Sequence, residues 1–535
     1  MASDPTTRPS AWSPLRDPVF RALWIASVVS NMGSWMHDVA GAWLMTSLAP
    51  TPIMVALIQT ASSLPMFLLS MPAGALADVV DRRRLLIFNQ VWMMVAAALL
   101  GGLTLAGVIT PVPLLALTFA LQMGSAMTMP AYQAVVPELV PRADLHSAVT
   151  LGAMGFNISR AAGPALGGLI VAALGPAPVF LLNAGTFVGV IVVLYRWRRE
   201  APESALPTER MVAAIRTGLR YVLHAPEIHT PLVRALIFIF CGSAVWALLP
   251  LLVKQEMGLG SAGFGLFLGC LGAGAVAAAF ILPAIRQRFS SDVVVNAAQV
   301  LFAAVLVSIG VFHHPVFVGF AMATGGVAWI SIFSTCNAEM QTAVPSWVRG
   351  RVMAMFGIVF FGGMATGSIL WGAIASFTGI PVTLVSAGLA LGSGLVLAAR
   401  YRFRPSEGLD LRPSMHWPQQ ELAIEPELDQ GPVLVSIEYR VDPARAREFT
   451  RAMRAIRRIR LRTGGFEWGL FRDTKDERRF VEYFLANSWL EHLRQHERFT
   501  VADHEINTMA RSFHVGDTPP VVSHMLYAHG PEGKT

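Results

Sequence analysis

Over the first four hundred residues, apolar stretches of about twenty residues alternate with short joints. Twelve can be marked, approximately 19–47, 51–77, 84–108, 112–138, 147–174, 178–196, 231–253, 262–283, 292–312, 315–337, 351–376 and 380–399. Each is long enough to cross a hydrocarbon core roughly 30 Å thick as a helix. The joints alternate in character. SLAPTP (47–52), AGVITPVP (106–113), LGPAP (174–178) and FTGIP (377–381) carry no charge, whereas DVVDRRR (78–84), ELVPRADLH (138–146), IRQRFSSD (285–292) and the stretch 196–230 are rich in arginine. Basic loops stay on the cytoplasmic side, so the N-terminus, every second loop and the C-terminal tail are expected there. VKQEMG (253–258) and HHP (313–315) depart mildly from the rule, because they fall on the outer side. Beyond residue 400 the pattern changes to short alternating runs and helix-period runs dense in Arg, Glu and His.

Composition agrees with a membrane chain. Of 535 residues 54% are hydrophobic and 14% charged, against about 25% charged for a soluble domain; the mean hydropathy is +0.53. The first eighteen residues are polar and the run that follows is too long for a signal-peptide core, so no cleavable signal is expected. Cys241, Cys270 and Cys336 all lie in apolar runs and suggest neither a disulfide framework nor a metal site. The pI near 9.7 fits cytoplasmic loops beside anionic lipid rather than nucleic-acid binding. No GxxxxGK[ST] loop occurs, which argues against a built-in ATPase.

The runs repeat. QAVVP (133–137) ends the fourth and QTAVP (341–345) follows the tenth; PVFLLNAG (178–185) opens the sixth and PVTLVSAG (381–388) the twelfth. Offsets of 208 and 203 residues indicate two six-helix halves in parallel repeat. The polar loop at about 197–230 joins them. Within it TERMVAAIRTGLRYVLHA (208–225) reads as an amphipathic helix along the membrane surface.

GALADVVDRRRLL (74–86) follows the second run, with an aspartate four residues after a glycine and then a basic cluster. It resembles the signature of the major facilitator superfamily between helices 2 and 3. The resemblance implies that Gly74 allows close helix approach, that Asp78 bridges to a neighbouring helix end, and that Arg82 and Arg83 belong to a cytoplasmic gate. Val79 stands where the pattern has a basic residue and Asp81 where it has a second glycine, which implies a different charge pairing in that gate. RAAGPALGG (160–168), containing Gly163, Pro164, Gly167 and Gly168, is similar to the glycine-proline motif on helix 5 of the superfamily's exporters. Small residues there let helices pack backbone to backbone. GSW (33–35), VPRADLHSA (140–148) and VPSWVRGRV (344–352) further resemble the branch containing the enterobactin exporter and macrolide efflux proteins. The resemblance covers roughly residues 15–402 and implies export by alternating access.

Arg160 is the odd residue in its glycine-rich run. It lies 14 residues past His146, roughly 20 Å along a helix and so near mid-depth. An unpaired charge there costs at least about 2.5–3.5 kcal/mol, so a partner facing the bundle interior is expected. Asp38, on the first run, is the candidate, since helices 1 and 5 are neighbours in the superfamily. Three readings stay open: Asp38 and Arg160 as a structural pair, as a coupling site where Asp38 takes a proton when substrate leaves, or Arg160 as a contact for an anionic substrate. The fourth run lacks the functional arginine that many relatives carry there. Asn31, Gln122 and Trp35 are candidates for cavity lining, beside methionines such as Met32, Met36 and Met123.

In the tail, GPVLVSIEYRV (431–441) alternates like a strand and DPARAREFTRAMRAIRRIRLRTG (442–464) reads as a capped helix. FEWGLFRD (466–473) and RRFVEYFLA (478–486) read as paired strands, the stretch 487–515 as mainly helical, and PPVVSHMLY (519–527) as a last strand. The order βαββαβ is ferredoxin-like. With the SWLEHLRQHER stretch, it resembles the dimeric α/β-barrel domains of the antibiotic-biosynthesis-monooxygenase type, which implies a homodimer contact through the sheets. His492 and His496 share a helix face with His504 about two turns on, too weak a pattern for a metal site.

The expectation is therefore an all-α membrane protein of twelve transmembrane helices plus a cytoplasmic α+β domain. Its parts are an N-terminal segment (1–18), two halves (19–196 and 231–402), a central loop (197–230), a linker (403–430) and the ferredoxin-like domain (431–530). It should reside in the inner membrane with both termini cytoplasmic, among membrane lipids. It would export a drug- or siderophore-like small molecule by proton antiport, with no cofactor, metal or nucleic acid. The alternatives are an importer on the same fold, or a transporter whose tail is a ligand sensor or a cofactor-free oxygenase.

Overall fold

A computed structural model describes residues 11–197, 211–403, 410–414 and 426–528, with the side chains of residues 75, 77–79, 142 and 211–215 excepted. The chain forms two compact units. The first holds 1–208, 232–337 and 354–402, and the second holds 209–231, 338–353 and 403–535. The expected linker and N-terminal segment lie largely outside the described residues.

The first unit is helical. Its first half contains α1 (Pro18–Leu48), α2 (Pro52–Val79), α3 (Arg82–Leu105), α4 (Pro111–Leu139), α5 (Leu145–Leu174) and α6 (Pro176–Arg196). After α7 (Met211–His224), the second half contains α8 (Pro226–Leu251), α9 (Ser261–Arg288), α10 (Ser291–Val311), α11 (Pro315–Thr342), α12 (Ser346–Thr378) and α13 (Ile380–Arg400). Among the described residues eleven helices are long and apolar enough to cross a membrane. The remaining long one is α1, where Arg21, Asn31, His37 and Asp38 lower the hydropathy. Its 31 residues still span about 46 Å. Asp17 caps it by accepting from the backbone N–H groups of Val19 and Phe20, with Pro18 at the first helical position.

The two halves end alike. Gly175 before α6 and Gly379 before α13 have φ of +82° and +85°, values that a side chain disfavours. These equivalent glycines turn the chain sharply into the last helix of each half, as the internal repeat requires. The near end of the bundle is the one where α1 begins and the far end the one where it finishes.

The second unit is α+β. Strands β1 (Val433–Arg440), β2 (Phe466–Arg472), β3 (Arg479–Ala486) and β4 (Val521–Leu526) form an antiparallel sheet of order β2-β3-β1-β4. One face is covered by α14 (Ala446–Thr463), α15 (Trp489–Arg498) and α16 (Val501–Arg511). Thr500 and Asp503 form a capping box that separates the last two helices. The amphipathic helix of the central loop is α7, and it belongs to this unit. Tyr221 is 2% exposed and meets Trp347 edge-on at 5.7 Å. The Arg220 guanidinium donates to the Gly464 carbonyl at 3.3 Å. The expected rest on a membrane surface is thus replaced, at Tyr221, by burial against protein.

Candidate functional site

The helix-5 glycines serve two neighbours at once. A Cβ on Gly163 would sit 2.6 Å from Trp35 Cβ, and one on Gly167 2.8 Å from Met36 Cα, so these two hold α5 against α1. A Cβ on Gly168, about 100° round the helix, would lie 2.6 Å from the Ser261 carbonyl oxygen and 2.8 Å from Gly265 Cα, on α9 of the other half. A Cβ on Gly265 in turn would meet the Pro164 carbonyl at 2.5 Å. Ser159 Oγ donates to the Val28 carbonyl and Trp24 Nε1 to the Leu151 carbonyl, both at 2.9 Å.

This packing fixes the relative heights of the charges. Gly163 faces Trp35 and Gly167 faces Met36, so Arg160 lies level with about residue 30 of α1 and Asp38 with about residue 168 of α5. The two are roughly 12 Å apart along the bundle. Among the described residues no ion pair joins them. Instead the Gln122 amide on α4 lies 3.5 Å from a carboxylate oxygen of Asp38, a long contact. Asp38, Arg160 and Gln122 are all partly exposed, as are Asn31 and Trp35. Arg160 Nε is buried without a partner. Next to Asp38, His37 is 1% exposed, packs on the Phe180 ring at 4.7 Å and leaves both ring nitrogens without hydrogen bonds.

At the near end, Arg82 donates to the Glu138 carboxylate at 2.8 Å and to the Ala134 carbonyl at 3.3 Å. Arg83 donates to the carbonyls of Leu194 and Tyr195 at 2.7 and 2.6 Å, at the end of α6 where carbonyls lack helical donors. Asp81 caps α3 by accepting from Arg84 N–H at 2.9 Å. Asp78 lies on α2, with a side chain outside the described residues. A Cβ on Gly74 would find nothing within 4 Å. Among the described residues no close approach is seen at Gly74, and α2 and α12 touch further along. Ala56 meets Gly372 and Phe67 meets Gly362, while Ser70 stands 4.0 Å from the Cβ position of Gly357. The halves converge toward the far end.

The Transmembrane secretion effector family matches residues 9–532. The chain belongs to this family. It is 26% identical over 402 residues to the uncharacterized MFS-type transporter YfiS of Bacillus subtilis, covering 70% of this chain and 93% of that protein. The multidrug efflux pump Tap of Mycolicibacterium fortuitum is 25% identical, with 70% and 93% covered. The enterobactin exporter EntS of Salmonella typhimurium is 24% identical, with 71% and 90% covered. In fold, the chain resembles a bacterial homologue of the lysosomal transporter Spinster in an inward-facing, unoccupied conformation. The TM-score is 0.60 at 12% identity, over 73% of this chain and 96% of that one. The protein is a multi-pass membrane transporter of the major facilitator superfamily and not an enzyme.

This chain carries a second polar cluster in its tail. Glu482 on β3 is fully buried and accepts from Arg460 Nε at 3.0 Å, Trp468 Nε1 at 3.0 Å and Tyr439 OH at 3.1 Å. Nearby, a cavity of about 10 Å³ is lined by Arg460, Gln495, His492, His496 and His524, among others. The His492 ring lies 4.5 Å from that of His496 and 4.8 Å from that of His524. Burial pushes His492 down to about 3 and His496 to about 4, and lowers His524; neighbouring histidines and Arg460 add to the first two. The third histidine is therefore His524 on β4. His504 sits on α16, 3.5 Å from Thr508 Oγ1. The helical stretch breaks at Phe499–Thr500, which removes His504 from the face that an unbroken helix would share. Among the described residues no group of three His, Cys, Asp or Glu is arranged to hold a metal ion.

Proposed function

We propose that this protein exports a small drug- or siderophore-like molecule from the cytoplasm by proton antiport, with Asp38 as the coupling carboxylate. The observation that carries the reading is the state of Asp38: a carboxylate inside an apolar bundle, only loosely met by Gln122 at 3.5 Å and free of any arginine or lysine partner among the described residues. A carboxylate tied to a cation would hold its charge through the cycle, whereas a loosely held one can exchange a proton as its surroundings change. The efflux-named relatives favour export. In this reading the near end and the tail unit face the cytoplasm of the inner membrane. The bundle, closed at its far end, is then in its inward-facing state and exchanges access by rocking its halves. Arg160, well below Asp38 along α5, serves as a separate contact for an anionic substrate group.

The test is proton flux from proteoliposomes under an imposed pH gradient, screened with siderophores, macrolides and cationic dyes. Substrate-triggered flux is expected in wild type and should vanish in Asp38→Asn. Unchanged flux in that variant would remove Asp38 from coupling, and silence with every compound would remove antiport.

The tail is assigned to dimerisation. On the sheet face not covered by helices, Phe471 stacks on Tyr483 at 5.5 Å, and Phe471, Met525 and Val521 are 61%, 51% and 59% exposed. These side chains share one face by register, with Ser436 and Glu438 of β1 between them, a face of mixed apolar and polar groups offered to a second copy. Light scattering in detergent should give a dimer that Phe471→Asp with Met525→Asp converts to a monomer; a monomeric wild type would overturn the assignment.

A further inference from the structure

One lysine sits where the distribution of basic residues does not call for it. Lys254 lies at the far end of the bundle, in the π-helical turn Leu252–Glu256 that finishes α8. That turn is closed by Met257 N–H donating to the Leu252 carbonyl at 3.1 Å, followed by Leu259 N–H donating to the Val253 carbonyl at 2.9 Å. Gly258 adopts a φ of +65° between them. A π turn carries an extra residue and redirects the side chains on it, and such turns recur at functional positions.

What Lys254 reaches is the end of α1. Its ammonium donates to the Thr46 carbonyl at 3.1 Å, Thr46 Oγ1 at 3.2 Å and Ser47 Oγ at 2.8 Å. It also stands 5.6 Å from the centre of the Trp43 ring. The Thr46 carbonyl is a special acceptor. In a helix it would take the N–H of the residue four positions on, but that residue is Pro50, which has none. Thr46 is 1% exposed, so water cannot readily replace the missing donor. Lys254 supplies it from the other half, and its charge meets the negative end of the α1 dipole. Gln255 repeats the device with Nε2 donating to the Pro50 carbonyl at 3.2 Å, and Trp43 stacks on Phe264 of α9 at 6.2 Å.

We infer that Lys254 is the latch of the far-end gate, a positioning residue that holds the halves closed by capping the carbonyl Pro50 leaves bare. When the halves part at that end, the latch must release, so its strength sets the balance between the two access states. The inference rests on the alternating-access part of the proposal above, not on substrate, coupling ion or membrane orientation.

The experiment measures a distance, which separates it from any failure of the transport assay. In full-length protein in nanodiscs, with Cys241, Cys270 and Cys336 replaced by serine, spin labels go on Ala106→Cys and His314→Cys. These are exposed far-end positions in the first and second halves. Wild type should give a dominant short distance. Lys254→Ala should raise the ratio of separated to closed molecules about tenfold, the scale of one charge-assisted hydrogen bond, while Lys254→Arg stays within about twofold of wild type. Thr46→Val with Ser47→Ala, which keeps the lysine and removes both hydroxyl acceptors, should fall between and serves where Lys254→Ala does not fold. A distance distribution unchanged in Lys254→Ala, or in the double variant if that protein is the one recovered, would overturn the latch.

Discussion

Two carboxylates in apolar surroundings are treated oppositely in this chain. Glu482 in the tail is fully buried and takes three short hydrogen bonds, one from a buried arginine. Asp38 in the bundle is partly exposed and has one amide at 3.5 Å. Burial of a charge is costly unless the site supplies partners in advance. The Glu482 site does so: a β3 side chain is held by α14, β1 and β2. The Asp38 site does not. An acid left underserved inside a membrane protein is tolerable only where solvent, a proton or a ligand completes it for part of a cycle. In the proposed coupling role, completeness of hydrogen bonding is what separates the structural acid from the working one.

The contrast can be broken most forcefully at Glu482. Glu482→Gln strands the Arg460 charge, itself 2% exposed, and should cost the tail about 3–5 kcal/mol. Hydrogen exchange of the β1 and β3 amides in full-length protein reads that loss; a change under about 1 kcal/mol would show that the network is not structural. Acid gives a graded effect, smaller than that for each pH unit crossed. His492 and His496, held at about 3 and 4 by burial, stay neutral in the folded tail while their unfolded counterparts protonate below about 6.5. The folded state then binds fewer protons, so this stability is complete above pH 6.5 and is lost as pH falls toward 3. The slope is about 1.4 kcal/mol per pH unit for each histidine still neutral. His492→Phe should flatten the decline measured by the same exchange experiment. The smallest stability change belongs to Asp38→Asn, within about 0.5 kcal/mol in thermal unfolding, since no ion pair is broken. Only its flux should disappear, and a large loss of stability there would erase the distinction between the two acids.

Much of this architecture was legible from pattern. Runs of twenty apolar residues, the QAVVP and QTAVP echo, and the period-two and period-3.6 stretches of the tail are local signals, and the long helices and the β2-β3-β1-β4 sheet follow them. The glycines of α5 were legible as a packing motif, though not that Gly168 turns to the other half. What failed to show was anything set by the register between helices. Depth measured from His146 put Arg160 near mid-membrane, but only the fit of Gly163 on Trp35 and Gly167 on Met36 reveals how far along α1 it sits. Glu138 as the partner of Arg82 is hidden for the same reason, lying 56 residues away on another helix. The Thr46 carbonyl had a signal available, a proline four residues on, but nothing in the sequence points from it to Lys254, more than two hundred residues later.

The unit that contains the tail also takes in residues 209–231 and 338–353, and this bears on how the protein is made. Tyr221 packs with Trp347, and the Arg498 guanidinium lies 4.8 Å from the centre of the Trp347 ring. The ribosome delivers Tyr221 and Trp347 well before Arg498. Through that interval two large aromatic side chains lack part of their eventual surroundings. Biosynthesis therefore has a late closing step, completed only when the C-terminal residues emerge.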